Sequence, residues 1–182
     1  TGKTPPVADF SAGPLLGLAP MTVAFTDRSL NLPESWAWDF DNDGTVDSTL
    51  QDPSYEYNVP GLYTVRLTVS NMAGSDESVK TDFIAVLDPA DDYDGDGLSN
   101  AAETNTGVYV SPDDTGTDFT NPDSDGDGVP DGLEVLYGTD PNDAQDIPQL
   151  PALEWVGLMV LCGAICAISV LCRRSPALSA HG

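Results

Sequence analysis

Basic side chains are scarce in this 182-residue sequence: six Lys or Arg stand against thirty Asp or Glu, for a formal charge of −24. The imbalance is uneven, with −8 over residues 1–87, −17 over 88–149, where Lys and Arg are absent, and +1 over 150–182. Such a charge excludes nucleic acid as a partner, because phosphate binding takes a basic face, and it disfavours an anionic lipid surface for the same reason. Histidine is nearly absent too. His181, close to the C-terminus, stands alone, which removes His-based triads and zinc clusters from the rest of the chain and leads to a reading without enzyme activity. Cysteine is confined to Cys162, Cys166 and Cys172, so the acidic part has no disulfide to hold it. Long apolar runs are missing except for one, the eighteen uncharged residues from Trp155 to Cys172. The chain opens at Thr1 without the n-region or h-region of a signal peptide, and a fragment or processed product is expected.

What is present in quantity is aspartate at fixed spacing. Asp92-Tyr-Asp94-Gly-Asp96-Gly97-Leu98-Ser-Asn100-Ala-Ala-Glu103 and Asp123-Ser-Asp125-Gly-Asp127-Gly128-Val129-Pro-Asp131-Gly-Leu-Glu134 repeat one arrangement thirty-one residues apart. A twelve-residue calcium loop takes oxygens from positions 1, 3, 5, a backbone carbonyl at 7, position 9 and a bidentate Glu at 12, with Gly at 6 for the sharp turn. Asp92, Asp94, Asp96, the Leu98 carbonyl, Asn100 and Glu103 fill the first set; Asp123, Asp125, Asp127, the Val129 carbonyl, Asp131 and Glu134 fill the second. A solvated acidic linker explains the charge but not Gly and Glu at fixed offsets. Calcium is therefore the expected ligand.

The flanks decide which calcium module this is. Pro89 precedes the first loop and Thr-Asn-Thr-Gly107 follows it; Thr120-Asn121-Pro122 enters the second and Tyr137-Gly138-Thr139-Asp140-Pro141 leaves it. Helices on either side are absent or very short, which argues against an EF-hand and against a sensor that opens a groove between helices. These residues resemble the thrombospondin type 3 repeats and their bacterial relatives over about 88–146, with Gly116-Thr117-Asp118 and Gly138-Thr139-Asp140-Pro141 as the linker. The resemblance implies that metal, and not an apolar core, holds the segment in shape. The composition agrees, since unbalanced negative charge expands a chain and ligand binding to the folded form alone stabilises it.

Residues 1–87 read as all-β. Short runs with strand chemistry occur at Val7–Phe10, Thr22–Thr26, Trp36–Phe40, Tyr55–Tyr57, Tyr63–Val69 and Phe83–Val86, between Gly, Pro, Asn and Asp turns. Alternation puts Tyr63, Val65, Leu67 and Val69 on one face, and Trp36 and Trp38 share a face, so a two-sheet immunoglobulin-like sandwich is predicted. Trp36-Ala-Trp38-Asp39-Phe40-Asp41, Pro53-Ser-Tyr55-Glu-Tyr57 and Gly61-Leu-Tyr63-Thr-Val65-Arg-Leu67-Thr-Val69-Ser-Asn71 are similar to a polycystic kidney disease (PKD) domain over about residues 4–87. One departure is Asp41-Asn42-Asp43-Gly44, where the family usually has Gly-Asp-Gly. Asp39, Asp41, Asp43, Gly44 and Asp47 also fall on calcium-loop positions, but position 12 is Leu50, and a turn capped by Asp side chains is the stronger reading. Trp36, Trp38, Tyr57 and Tyr63 are assigned to the core in preference to a carbohydrate-stacking platform.

A helix over Trp155–Cys172 spans roughly 27 Å, enough to cross a bilayer, and Arg173-Arg174 marks its cytoplasmic end. Leu150-Pro151-Ala152-Leu153-Glu154-Trp155, the apolar run and the arginine pair together are similar to the C-terminal sorting signals of the PEP-CTERM and IPTL-CTERM kind. That resemblance implies cleavage near the motif; otherwise the helix stays as an anchor. The expected organisation is a PKD-like sandwich (4–87), a calcium-bound, loop-rich segment with little regular structure (88–146), a linker (147–153), one transmembrane or sorting α-helix (154–174) and a short tail (175–182). The expected function is that of a bacterial cell-surface protein, an adhesion or spacer stalk that displays the PKD-like module outside the membrane to a surface protein or polysaccharide. The alternative is the accessory and anchoring region of a secreted protease or polysaccharide hydrolase. Replacing Glu103 and Glu134 together by Ala is expected to abolish calcium-dependent ordering, read by circular dichroism during a calcium titration; ordering that survives would refute the ligand assignment.

Overall fold

The computed structural model describes residues 3–149, in two compact units that meet between Asp91 and Asp92. The predicted helix over 154–174 and the tail lie outside the described residues, among which no helix is long and apolar enough to cross a membrane.

Seven strands make up the first unit: β1 (Phe10–Gly13), β2 (Leu16–Leu18), β3 (Met21–Asp27), β4 (Ser35–Asp39), β5 (Ser54–Tyr57), β6 (Gly61–Asn71) and β7 (Gly74–Leu87). They form a three-stranded sheet in the order β1-β3-β5 and a four-stranded sheet in the order β2-β7-β6-β4. Every pairing is antiparallel except β2 with β7. Side chains alternate across each strand, so Met21, Val23 and Phe25 of β3 and Val65, Leu67 and Val69 of β6 point into one shared core. Trp38 sits at its centre, fully buried, in an edge-on contact with Phe10 at 5.2 Å and beside Phe25 at 5.5 Å. A row of rings continues from Phe40 through Tyr55 and Tyr57 to Tyr63 at centroid distances of 4.4–4.8 Å. Tyr57 is buried but not stranded, because its hydroxyl donates to the Phe40 carbonyl at 2.9 Å. Trp36 and Tyr63 are half-buried against the same core. The aromatics thus pack inward, as expected, and offer no flat platform.

The structure extends the predicted strands in two places. β7 begins at Gly74 and not at Phe83: its first half, Ser75–Asp82, is polar and exposed, with neither apolar alternation nor strong β-propensity. Backbone pairing to β6, tied by the Asn71–Gly74 turn, makes it a strand regardless. β2 is only three residues long, too short for a periodic signal, and Val7 makes an isolated bridge to Leu30 ahead of β1.

Among its described residues the second unit has one helix, α1 (Asp131–Tyr137), closed by Gly138 in a left-handed conformation (φ 79°). The rest of residues 92–146 is turns and loops, as the sequence predicts for this segment. Between its two acidic loops the chain makes an excursion that folds back on itself. Asn105 N–H donates to the Thr117 carbonyl, Gly107 N–H to Gly116, and Val110 N–H to Asp114, at 2.8–3.0 Å. Gly116 is required there: its φ is +73°, and a Cβ would lie 2.4 Å from the Val108 carbonyl oxygen.

Trp38→Ala is expected to cost the sandwich about 3–5 kcal/mol, through lost transfer energy and the cavity left behind, and Trp36→Ala distinctly less. Denaturant unfolding of the two variants checks this, and equal losses would contradict the placement of Trp38 at the centre.

Candidate metal centre

The two acidic loops share one hydrogen-bond scheme in which backbone N–H groups hold the carboxylates in place. At position 1, Asp92 accepts from Gly95 and Gly97 N–H at 2.7 and 3.0 Å; Asp123 accepts from Gly126 and Gly128, both at 2.9 Å. At position 3, Asp94 Oδ1 accepts from Asp96 N–H and Asp125 Oδ1 from Asp127 N–H. At position 5, Asp96 Oδ1 accepts from Leu98 N–H and Asp127 Oδ1 from Val129 N–H. Position 9 closes the ring: Asn100 Oδ1 accepts from Tyr93 N–H and Asp131 Oδ1 from Ser124 N–H, each at 2.9 Å. The chain can wind this tightly because Gly97 and Gly128, at position 6, have φ of 104° and 98°.

These bonds leave a second carboxylate oxygen on most of the acids. Asp94 Oδ2, Glu103 Oε2, Asp125 Oδ2, Asp127 Oδ2, Asp131 Oδ2 and Glu134 Oε2 are buried and receive no hydrogen bond. Buried carboxylates without donors are costly, and neighbouring negative charge adds to the cost. Burial, reinforced by Asp94 and Asp96, pushes the Glu103 carboxyl up to about 8. Burial with Asp125 and Asp127 does the same to Glu134, also to about 8. Asp94 and Asp131 are raised to about 6, again chiefly by burial. Oxygens of Asp92, Asp94 and Asp96 lie within 4.8 Å of one another, as do those of Asp123, Asp125 and Asp127. A hard divalent cation relieves all of this at once, and an all-oxygen, flexible, carboxylate-rich set suits calcium. The residues present therefore fit the ion.

Three features of the centre are not evident from the ligand spacing. Thr117 Oγ1 lies 3.3 Å from Glu103 Oε1, and Thr139 Oγ1 lies 3.4 Å from Glu134 Oε1 and 3.3 Å from the Glu134 carbonyl oxygen, so the threonine of each Gly-Thr-Asp linker sets its hydroxyl against the position-12 glutamate. The repetition of that tripeptide was the available signal. Second, Asp131 and Glu134 both sit on α1, three residues apart and fully buried. Third, Asp131, at position 9 of the second loop, has a carboxylate oxygen within 4.8 Å of ones from Asp96 and Glu103 of the first.

The Asp39–Leu50 turn imitates the scheme without its consequence. Asp39 accepts from Asp43 and Gly44 N–H, Asp43 from Thr45 N–H, and Asp47 from Phe40 N–H. None of its oxygens is among the buried, unpaired ones, and its carboxylates serve as caps of the β4 turn.

Family models match the chain in the same two places. Residues 3–86 match the PKD domain, and residues 92–107 with 123–144 match the bacterial TSP3 repeat. The chain carries a PKD domain followed by bacterial TSP3 repeats. The gap between the two TSP3 matches is the folded-back excursion after Gly107. Solved structures similar to the PKD domain include the PKD1 domain of the Vibrio cholerae metalloprotease PrtV, 33% identical over 44% of this chain and 95% of that one, with a TM-score of 0.36. Others are the PKD1 domain of Vibrio anguillarum Epp (30% identity, 47% and 100% coverage, TM-score 0.38) and the PKD domain of the human VPS10 domain-containing receptor SorCS2 (25%, 48% and 79%, 0.40). Among curated proteins none matches the chain.

Because Glu103 and Glu134 hold protons up to about pH 8 in the empty loops, calcium binding near pH 7 is expected to release protons and to tighten as pH rises from 6 to 8. The empty fold has the opposite dependence. Folded carboxyls with raised pKa bind more protons than unfolded ones, so its stability falls as pH rises from the ordinary carboxylate range towards 8. Calorimetry in buffers of different ionisation enthalpy measures the proton release, and its absence would show that burial does not keep these acids protonated.

Proposed function

We propose that the TSP3 repeats are a calcium-dependent spacer that carries the PKD domain on the outside of a bacterial cell, in an adhesive or structural role without catalysis. The observation that carries this reading is the set of buried carboxylate oxygens without donors in two loops that share one scheme of backbone hydrogen bonds. Asp92, Asp94, Asp96, the Leu98 carbonyl and Glu103 would hold one ion, and Asp123, Asp125, Asp127, the Val129 carbonyl and Glu134 another. Calcium supplies the positive charge that lets these carboxylates stay ionised while buried. The chain's own residues do the rest: backbone N–H groups fix each carboxylate, Thr117 and Thr139 set their hydroxyls against the glutamates, and Leu98 and Val129 turn buried side chains away from water.

An extracellular setting suits this chemistry. Calcium outside cells is millimolar, and extracellular modules bind it with Kd values of about 0.1–1 mM. A segment with seventeen acids and no Lys or Arg over residues 88–149 would repel itself without the ion. The apolar run at 155–172 with Arg173-Arg174 supports attachment at a membrane, with the acidic modules outside, either lasting or until a sorting enzyme acts. The PKD domain would present a surface protein or polysaccharide with its exposed strands, its aromatics being engaged in the core.

Hydrogen exchange of the full chain, with calcium at about 1 mM and then with chelator, tests the reading. Chelation is expected to strip amide protection from residues 92–146 while β6 and β7 keep theirs. Equal protection of 92–146 in both conditions would overturn the proposal.

A further inference from the structure

We propose that Asp131 is a ligand of the first repeat's ion, so that the first calcium site is completed across the boundary between the two repeats. The proposal rests on the calcium reading above and goes beyond it in assigning Asp131 away from the loop in which its sequence position places it.

Position 9 has the same local task in both loops. Asn100 Oδ1 and Asp131 Oδ1 each accept the N–H of the residue at position 2, Tyr93 and Ser124. A neutral amide performs that task in the first loop, so the second loop's closure does not explain a carboxylate at Asp131. Its other oxygen, Oδ2, is fully buried and has no donor. The group that Asp131 joins is Asp96 and Glu103, with oxygens within 4.8 Å, and not the Asp123, Asp125 and Asp127 group of its own repeat.

The distribution of unpaired oxygens supports the same assignment. In the second loop, Asp131 apart, they belong to Asp125, Asp127 and Glu134. In the first loop the counterparts of Asp125 and Glu134, namely Asp94 and Glu103, are unpaired, but the counterpart of Asp127 is not. Asp96 Oδ2 accepts the N–H of Gly132 at 2.9 Å. The first loop has thus given one free oxygen to the neighbouring repeat, and Asp131 Oδ2 returns one to it. Gly132 makes this exchange feasible, since a Cβ there would lie 2.4 Å from the Asp96 carbonyl oxygen. The first turn of α1 approaches the first loop that closely only because residue 132 has no side chain. The second site is complete within its own repeat; the first is not.

The experiment is a calcium titration of the full chain followed by NMR, in which the amide resonances of Gly97 and Gly128 report the two loops separately. Asp131→Asn keeps an oxygen for Ser124 N–H and removes the charge. The expected result is a Gly97 midpoint raised about tenfold or more, with the Gly128 midpoint changed by less than about twofold, because affinity follows the number of charged ligands. A shift at Gly128 with Gly97 in place returns Asp131 to its own loop and overturns the proposal; so does an equal shift at both, or at neither. Gly132→Ala is the second variant and is expected to give the same selective loss at Gly97, whereas unselective loss counts against the shared site. If neither resonance of the unaltered chain responds to millimolar calcium, the calcium reading itself fails, an outcome distinct from all of these.

Discussion

The second unit depends on a conflict between burial and charge. At Asp94, Asp125, Asp127 and Asp131 its loops bond one carboxylate oxygen to a backbone N–H and bury the other beside further carboxylates. Neither backbone amides nor the hydroxyls of Thr117 and Thr139 can satisfy those second oxygens. Only a proton or a cation can, and at neutral pH the proton is a poor competitor once a divalent ion is within reach. The PKD domain is held by a different force. Its centre is a set of aromatic and branched side chains around Trp38, and its one deeply buried hydroxyl, on Tyr57, has an internal acceptor. The PKD domain is stabilised by removing apolar surface from water, whereas the acidic loops bury charge that a cation would offset.

Much of this is legible in the sequence, because the deciding constraints are local. A calcium loop occupies twelve consecutive residues, and a sandwich strand announces itself by alternation. The Tyr63–Val69 pattern identifies the core face of β6 residue by residue, and both loops hold their predicted acids in one arrangement. The comparison with Asp39–Leu50 shows where spacing alone runs out. That turn has Asp at positions 1, 3, 5 and 9 and much the same capping bonds. It lacks the acidic residue at position 12 and the burial that would leave oxygens unpaired. What separates a metal loop from a capped turn is the environment that closes over it.

The features that escape the sequence are those set by distant partners. Polar Ser75–Asp82 is a strand because β6 offers it a ladder, and no property of those residues signals that. Thr117 reaches Glu103 only because the chain between them doubles back. Asp131 meets Asp96 only because Gly132 permits two backbones to touch. In each case the residue type is ordinary for its position, and its role comes from the contact.

The doubled-back excursion between the TSP3 matches has a further consequence. Asn105 and Thr117 are hydrogen-bonded to each other, so the chain leaves and re-enters the repeat at nearly the same point. Whatever lies beyond the Gly107–Gly116 bond is a side branch, ending in the tight turn at Ser111–Asp114 with Val108 and Val110 exposed. The entropy of closing such a branch grows only with the logarithm of its length. Its tip is therefore a place where residues can be added or removed while the two acidic loops keep their register, and the distance along the sequence between the two loops is free to vary independently of their distance in space.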